Sequence, residues 1–294
     1  MHTFFQSGKY ASYTKEIPYS FAKHSTIGVG GISAVAFSPT TLEEVYALIT
    51  QLKKDGVPVY VLGNLSNVLP CGGVSKRVVV SMKKLRGVQA NGNLLTVKAG
   101  TTAGALLTEC KRLGLSGVEF LTGIPCTIGG ALYMNAGVSG AYIGEFVHSV
   151  TALYNGKMVT LSQLDCQYAY KHSVFMQDEF VIVSANLRLT AEQVGIIQDR
   201  INDYNQRRKH LPKGKSMGCV FKNPNGALAG KLIDGAGLKG MRVGGAVVSS
   251  QHANFIINDN RAQTADIKSL IQLVKNAVFA QYKIKLEEEI RYLD

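Results

Sequence analysis

Thr40 and Thr41 stand three residues before Glu43 and Glu44, the spacing of a capping box. Leu42, Val45, Ile49 and Leu52 then recur at helical period, and Gly56 marks the end of the helix this predicts. A short strand over 57–62 follows, so that residues 63–67 occupy the turn leaving it. Residues 77–82 and 94–99 read as further strands, and a helix over about 102–113 is stopped by Gly114. Strands near 147–154, 157–161 and 180–189 complete a strand-rich middle region. From Ala191 to His210 the pattern becomes helical and increasingly basic, closed by Pro212, which places a domain boundary near 191. Beyond it lie strand candidates around 218–222, 241–249 and 254–258. A long amphipathic helix is expected over about 265–283, with Ile267, Leu270, Ile271, Val274 and Val278 on one face. The chain closes with an expected strand over 286–292. No internal repeat or low-complexity segment interrupts this order.

One stretch breaks both periods. After Glu119 the chain runs 25 residues to Gly144 without a charge, roughly enough to span a bilayer. It carries six glycines, Pro125 and Asn135, which excludes a regular lipid-exposed helix. Glycine lacks Cβ and tolerates φ > 0, so such a loop brings backbone close to something bulky and flat. Backbone N–H groups arrayed in turns form anion-binding nests, most often for phosphate. A glycine-rich core crossing without a ligand is the alternative.

Composition narrows the class. The chain has 294 residues, 46% hydrophobic and 18% charged, enough for one large domain or two to three small ones with real cores. Five scattered cysteines (Cys71, Cys110, Cys126, Cys166, Cys219), none in a CxxC, argue against a disulfide framework or a zinc site and for a reducing, cytoplasmic setting. Residues 1–22 lack an apolar core, so no signal peptide is expected. The net charge of +12 is densest at Arg207, Arg208, Lys209, His210, Lys213 and Lys215. That cluster is open to three readings: a solvated surface, a diphosphate site, or nucleic acid. No interleaved aromatics or nucleic-acid motif accompanies it, which disfavours the last.

Several short motifs can be weighed directly. Residues 235–240 fit GxGxxG, but they follow a helix-like stretch and precede a strand-like one, the reverse of a dinucleotide fingerprint. Gly214-Lys215-Ser216 has the tail of a P-loop without its leading glycine. GNLSN at 63–67 suits a phosphate nest: Gly63 bends the chain, and Asn64, Ser66 and Asn67 offer donors; a plain turn is the alternative. Strand alternation puts Leu286 and Ile290 on one face and Glu289 with Arg291 on the other, so Glu289 can face a polar cleft. His252 reads better as a hydrogen-bonded structural histidine than as a base.

The segment GIPCTIGGALYMNAG closely resembles the flavin-binding segment of the UDP-N-acetylenolpyruvoylglucosamine reductase family. Further matches follow in the family's order: HSTIGVGG (24–31), GNLSN (63–67), YKHS (170–173), MGCVFKNP (217–224), VSSQHANFIIN (248–258) and EEEIR (287–291). The resemblance covers nearly the whole chain after about residue 22. It implies an α+β, two-subdomain FAD-binding fold of the vanillyl-alcohol-oxidase type over 23–190, after an N-terminal extension (1–22), then an α/β substrate domain over 191–294. The implied activity is FAD-dependent, NADPH-driven reduction of an enolpyruvyl UDP-sugar ether to UDP-N-acetylmuramate, for peptidoglycan precursor synthesis.

The site carried over by the resemblance is as follows. FAD is expected on Gly63, Asn64, Leu65, Ser66 and Asn67, and on Gly123, Ile124, Pro125, Cys126, Thr127, Ile128 and Gly129. Lys171, Cys219 and Glu289 stand at the catalytic positions, with Cys219 as proton donor; Tyr133, Asn135, Arg207, Lys222 and Asn223 are candidates for substrate contact. Three residues depart from the family pattern. Leu65 and Cys126 replace glycines, putting side chains where close approach is expected, and Lys171 replaces an arginine, exchanging a planar fork for a point charge. Two rival readings are another flavin oxidoreductase on the same fold and a decayed, non-catalytic homologue. No metal, nucleic-acid or membrane partner is expected.

Overall fold

Thr41 accepts a hydrogen bond from Glu44 N–H and starts the helix Leu42–Lys54, and Gly56 follows it at φ 66°. Val45, Leu48 and Leu52 form its buried stripe. The computed structural model describes Phe5, residues 8–177 and residues 179–294. They form two units, described in turn.

The first unit comprises residues 1–17, 35–64 and 77–209. Two larger sheets dominate it among the described residues. A four-stranded sheet orders Lys15–Glu16, Ala36–Phe37, Val78–Ser81 and Val59–Leu62, with the last three mutually parallel. A five-stranded antiparallel sheet orders Lys157–Ser162, Val147–Tyr154, Phe180–Arg188, Leu94–Lys98 and Val88–Asn91. The helix Ala103–Leu113 begins with Thr102 as cap and ends at left-handed Gly114. The uncharged run is not one element: it contains a single-turn segment Glu119–Leu121, the six-residue helix Ile128–Tyr133 and a small hairpin at 137–142. The residue just before it, Glu119, is a buried carboxylate that accepts from Ser116 Oγ and Gly117 N–H, which anchors the run.

The second unit comprises residues 18–34, 65–76 and 210–294. An antiparallel sheet orders Ser216–Cys219, Phe255–Asn258, Ala246–Val248 and Arg242–Val243. The helix Thr264–Tyr282 packs beside it through Ile267, Leu270, Ile271, Val274 and Val278, the stripe expected from periodicity. Residues 235–240 follow the helix Ala229–Gly235 and precede the strand Arg242–Val243, so the GxGxxG order is indeed reversed.

Two boundaries differ from the sequence reading. Residues 194–208 form a helix that groups with the first unit, packing on Glu119–Leu121 and on the helix 103–113, while 18–34 and 65–76 group with the C-terminal residues. Residues 8–17 are part of the first unit rather than a separate extension: the Tyr10 ring is buried against Phe5 and Phe37. The closing strand is also shorter than 286–292. Regular pairing is confined to Arg291–Tyr292, parallel to Val68–Leu69, after an isolated bridge between Phe221 and Glu288. The segment changes partner midway, which interrupts the ladder but preserves the alternation: Leu286 and Ile290 are buried.

Candidate active site

In the first unit the two glycine-rich segments meet. Gly63 ends the strand Val59–Leu62, and a Cβ there would collide with Thr127 Oγ1. Asn64 Nδ2 donates to the Pro125 carbonyl at 2.8 Å, bonding one loop to the other. Thr127 caps the helix 128–133 by accepting from Gly130 N–H. The N–H groups of Ile128 and Gly129 are not available to a ligand, however. They donate to the Thr101 and Ala99 carbonyls, both at 2.8 Å, and so seat the helix on the end of the strand Leu94–Lys98. Ile124 packs against the core, while Gly123 and Pro125 are exposed.

Two features of this loop, a cationic side chain and an unsatisfied hydroxyl, suit an anionic group. Gly123 is left-handed at φ 72°, and the Arg208 guanidinium lies directly over it, donating to the Gly123 carbonyl at 3.0 Å. Beside it the Thr122 hydroxyl is buried with no hydrogen-bond partner among the described residues. Such an orphan costs about 1–3 kcal/mol unless something supplies its bond. Sequence reasoning missed Thr122 and Arg208 and offered Arg207 as a substrate contact. That side chain instead pairs with Asp203 at 2.7 Å one helical turn away and lies against the Tyr204 ring. Adjacent helical residues differ by about 100° in direction, so one arginine of the pair reaches the loop and the other does not.

Cys126, despite replacing a glycine, does not require a left-handed backbone; it is buried, and desolvation pushes its thiol up to about 12. Leu65 does keep the left-handed conformation, at φ 52°, yet is only 3% exposed. The strain of about 1–2 kcal/mol is matched or exceeded by burying a leucine side chain, about 1.5–3 kcal/mol. These two departures therefore leave the loop backbone intact, removing part of the motive for a decayed-homologue reading.

Asn135, a candidate substrate contact, has a different role. Its side chain is 4% exposed; Nδ2 donates to the Ala169 carbonyl at 2.9 Å and Oδ1 accepts from Gly144 N–H at 3.0 Å. It is a brace for the turn 169–172, in which Ala169 and His172 exchange backbone hydrogen bonds and Lys171 sits at φ 53°. Ser173 Oγ donates to the Tyr133 carbonyl at 2.7 Å, tying the same turn to the helix 128–133. Tyr133 and Lys171 are both half-buried at this end of the unit.

In the second unit, Cys219 follows left-handed Gly218 (φ 74°) at a register shift in the pairing of Ser216–Cys219 with Phe255–Asn258. Such an irregularity re-aims the next side chain. The chain beyond Cys219 is then held from both sides. Asn254, buried and absent from the sequence reading, clamps Phe221 by accepting from its N–H at 2.9 Å and donating to its carbonyl at 2.8 Å. Opposite, Glu289 N–H donates to the Val220 carbonyl and Lys222 N–H to the Glu287 carbonyl, both at 2.8 Å. Backbone pairing thus brings Glu289 beside the residues that follow Cys219.

GNLSN is divided: Gly63 and Asn64 belong to the first unit, Leu65 to Asn67 to the second. Ser66 is half-buried. Asn67, expected to hold cofactor, donates its side-chain amide to the Glu289 carbonyl at 3.1 Å, and its carbonyl accepts from Arg291 N–H at 2.9 Å. Lys222 forms an ion pair with Glu287, and Asn223 Oδ1 accepts from Ala229 N–H at 3.0 Å, so both substrate candidates have structural partners. His252 is a structural residue, as expected: its Nδ1 accepts from Asn254 N–H at 3.3 Å, its ring meets Phe255 edge-on, and burial holds its pKa below the ordinary value.

Comparison with known proteins follows this geometry. Residues 33–162 match the family model described as FAD binding domain, and residues 209–293 the one described as UDP-N-acetylenolpyruvoylglucosamine reductase, C-terminal domain. The UDP-N-acetylenolpyruvoylglucosamine reductase of Moorella thermoacetica is 38% identical over 272 residues, covering 92% of this chain and 90% of that protein. The protein of the same description from Clostridium novyi is 35% identical over 271 residues, 91% of this chain and 88% of that one. The crystal structure of the Thermus caldophilus reductase superimposes with a TM-score of 0.82 at 32% identity, covering 96% of this chain and 99% of that one. The α+β FAD-binding fold is therefore that of this chain. Among the described residues no helix is long and apolar enough to cross a membrane.

Proposed function

Because this chain belongs to the UDP-N-acetylenolpyruvoylglucosamine reductase family, an FAD-dependent oxidoreductase family, we propose that it reduces UDP-N-acetyl-3-O-(1-carboxyvinyl)-glucosamine to UDP-N-acetylmuramate with NADPH as electron donor. The product is a peptidoglycan precursor. The observation that carries this reading is the backbone pairing, within the second unit, of Glu289 with Val220, the residue that follows Cys219.

FAD, when bound, supplies hydride transfer. The residues that would hold it are Gly63, Asn64, Gly123, Pro125 and Thr127, with Thr122 and Arg208 added by the structure. Lys171 places a positive charge where negative charge develops on the substrate's carboxyvinyl group. A single such contact contributes about 10²–10³ in rate. The vinyl group accepts a hydride at its terminal carbon, and the Cys219 thiol donates a proton to the carbon bearing the carboxylate; solvent then reprotonates the thiolate. Glu289 orients that donor or relays the solvent proton back to it.

The decisive experiment is anaerobic reduction of the purified flavoprotein by NADPH followed by addition of the enolpyruvyl substrate. Bleaching of the flavin band by NADPH and its return on adding substrate are expected. A reduced flavin that substrate does not reoxidise would overturn the assignment.

A further inference from the structure

Three consecutive glutamates, Glu287, Glu288 and Glu289, present a register problem. They are chemically identical, and sliding an extended segment by one residue exchanges its inward and outward faces. Something must decide which carboxylate faces where.

The answer lies in how Glu288 is held. Leu286 and Ile290 are buried and Glu287 is exposed, while Glu288 and Glu289 are both half-buried; strand alternation puts Glu288 on the side of Leu286 and Ile290. An inward carboxylate needs both of its oxygens satisfied. Oε1 accepts from Lys275 Nζ at 2.6 Å, and Oε2 accepts from the Tyr292 hydroxyl at 2.6 Å. Lys275 belongs to the long helix 264–282 and Tyr292 to the closing strand, so the carboxylate joins two elements. Lys268, two turns earlier on the same face of that helix, lies 5.4 Å from the Tyr292 ring centroid. Burial pushes the Glu288 carboxyl up, but the bonds from Lys275 and Tyr292 outweigh it and hold the pKa below the ordinary glutamate value.

Neighbouring Glu287 turns the other way and pairs with Lys222, with a side chain 73% exposed. The Glu289 main chain is fixed at both ends, N–H to Val220 and C=O from Asn67. We propose that the Lys275–Glu288–Tyr292 triad is a register lock whose function is to commit Glu289, and not its two neighbours, to the reaction centre. Glu288 is thus a positioning residue, acting through Glu289; the inference rests on the reductase reading and on Glu289's part in the proton step. A shift of one residue would put Glu287 or Glu289 in the Glu288 place and bring Glu288 or Ile290, rather than Glu289, beside Val220.

The test separates positioning from mere support. Glu288→Gln and Lys275→Met are compared with wild type and Glu289→Gln by following three quantities: FAD affinity, flavin reduction by NADPH, and flavin reoxidation by substrate. Loss of the lock is expected to slow reoxidation by about 10–100-fold, since a misplacement of about 1 Å can cost 10²-fold. FAD affinity and NADPH-driven reduction are expected to stay within about twofold, and Lys275→Glu combined with Glu288→Lys to recover most of the loss by reversing the pair. Reoxidation within about twofold of wild type in both single variants, at a temperature where they are folded, overturns the lock while Glu289→Gln remains slow. Should either variant fail to fold, Tyr292→Phe removes one hydroxyl only; an unchanged reoxidation rate there overturns the lock equally. Failure of wild-type flavin to be reoxidised by substrate, or full activity in Glu289→Gln, would remove the reading beneath it.

Discussion

Replacing Asn135 by alanine discriminates between a residue that binds substrate and one that braces the site. The side chain is 4% exposed and makes two hydrogen bonds, 2.9 Å to the Ala169 carbonyl and 3.0 Å from Gly144 N–H. Alanine abolishes both. Gly144 is buried against the Tyr168 ring, so its N–H would lose its acceptor where water has little access. Each lost bond costs about 1 kcal/mol net, and a stranded buried donor adds about 1–3 kcal/mol. Asn135 also sits at φ 43°, a region asparagine tolerates better than alanine. The expected loss is about 3–5 kcal/mol. Urea unfolding followed by far-UV circular dichroism measures it, and Asn135→Gly, which relieves the backbone but makes neither bond, is expected to lose about 1 kcal/mol less. Because Asn135 holds the turn carrying Lys171, substrate-driven reoxidation also slows. A variant within about 0.5 kcal/mol of wild-type stability but with a raised KM for the enolpyruvyl substrate would refute the bracing role and restore Asn135 as a ligand.

Other outcomes test the remaining assignments. Cys219→Ala is expected to retain FAD and reduction by NADPH while turning over about 10²–10⁴-fold more slowly, and Cys219→Ser to keep substantial activity; an alanine variant within a few-fold of wild type would exclude the thiol as the acid. Lys171→Ala is expected to slow reoxidation by about 10²–10³ and Lys171→Arg to remain active, since both inherit the same left-handed backbone; unchanged turnover in the alanine variant makes Lys171 a surface charge. At Gly129 a Cβ would stand 3.0 Å from Ala99 Cβ and 3.2 Å from its carbonyl oxygen, so Gly129→Leu is expected to lift the helix 128–133 off its seat and abolish flavin retention in a folded protein. Full FAD occupancy there would sink the loop assignment. Glu288 has a depressed pKa, so its stabilisation is complete above the ordinary glutamate value of about 4.3 and is lost as pH falls through the lower folded value. The urea midpoints of wild type and Glu288→Gln are accordingly expected to converge in acid, and a constant gap down to about pH 3 would contradict the ionised pair.

What the sequence determined by itself were the features that depend on neighbours along the chain. The helix 42–54, with its threonine cap and terminal glycine, follows from spacing alone, as do the apolar stripe on 264–282 and the strands flanking 147–188. Family membership was legible for the same reason, because GIPCTIGGALYMNAG and MGCVFKNP are contiguous strings. Tertiary structure decided everything that depends on residues far apart in sequence. It gave Asn67 to the Glu289 carbonyl 222 positions away, turned Asn135 from a ligand into a brace, and sent Arg208 rather than Arg207 to the glycine loop. It also grouped 18–34 and 65–76 with the C-terminal residues, a discontinuity that composition along the chain does not register. A polar side chain in a sequence offers donors and acceptors without stating who uses them. Only the fold, by burying some and pairing others at a cost of about 1–3 kcal/mol for each one left unmet, determines which remain for chemistry.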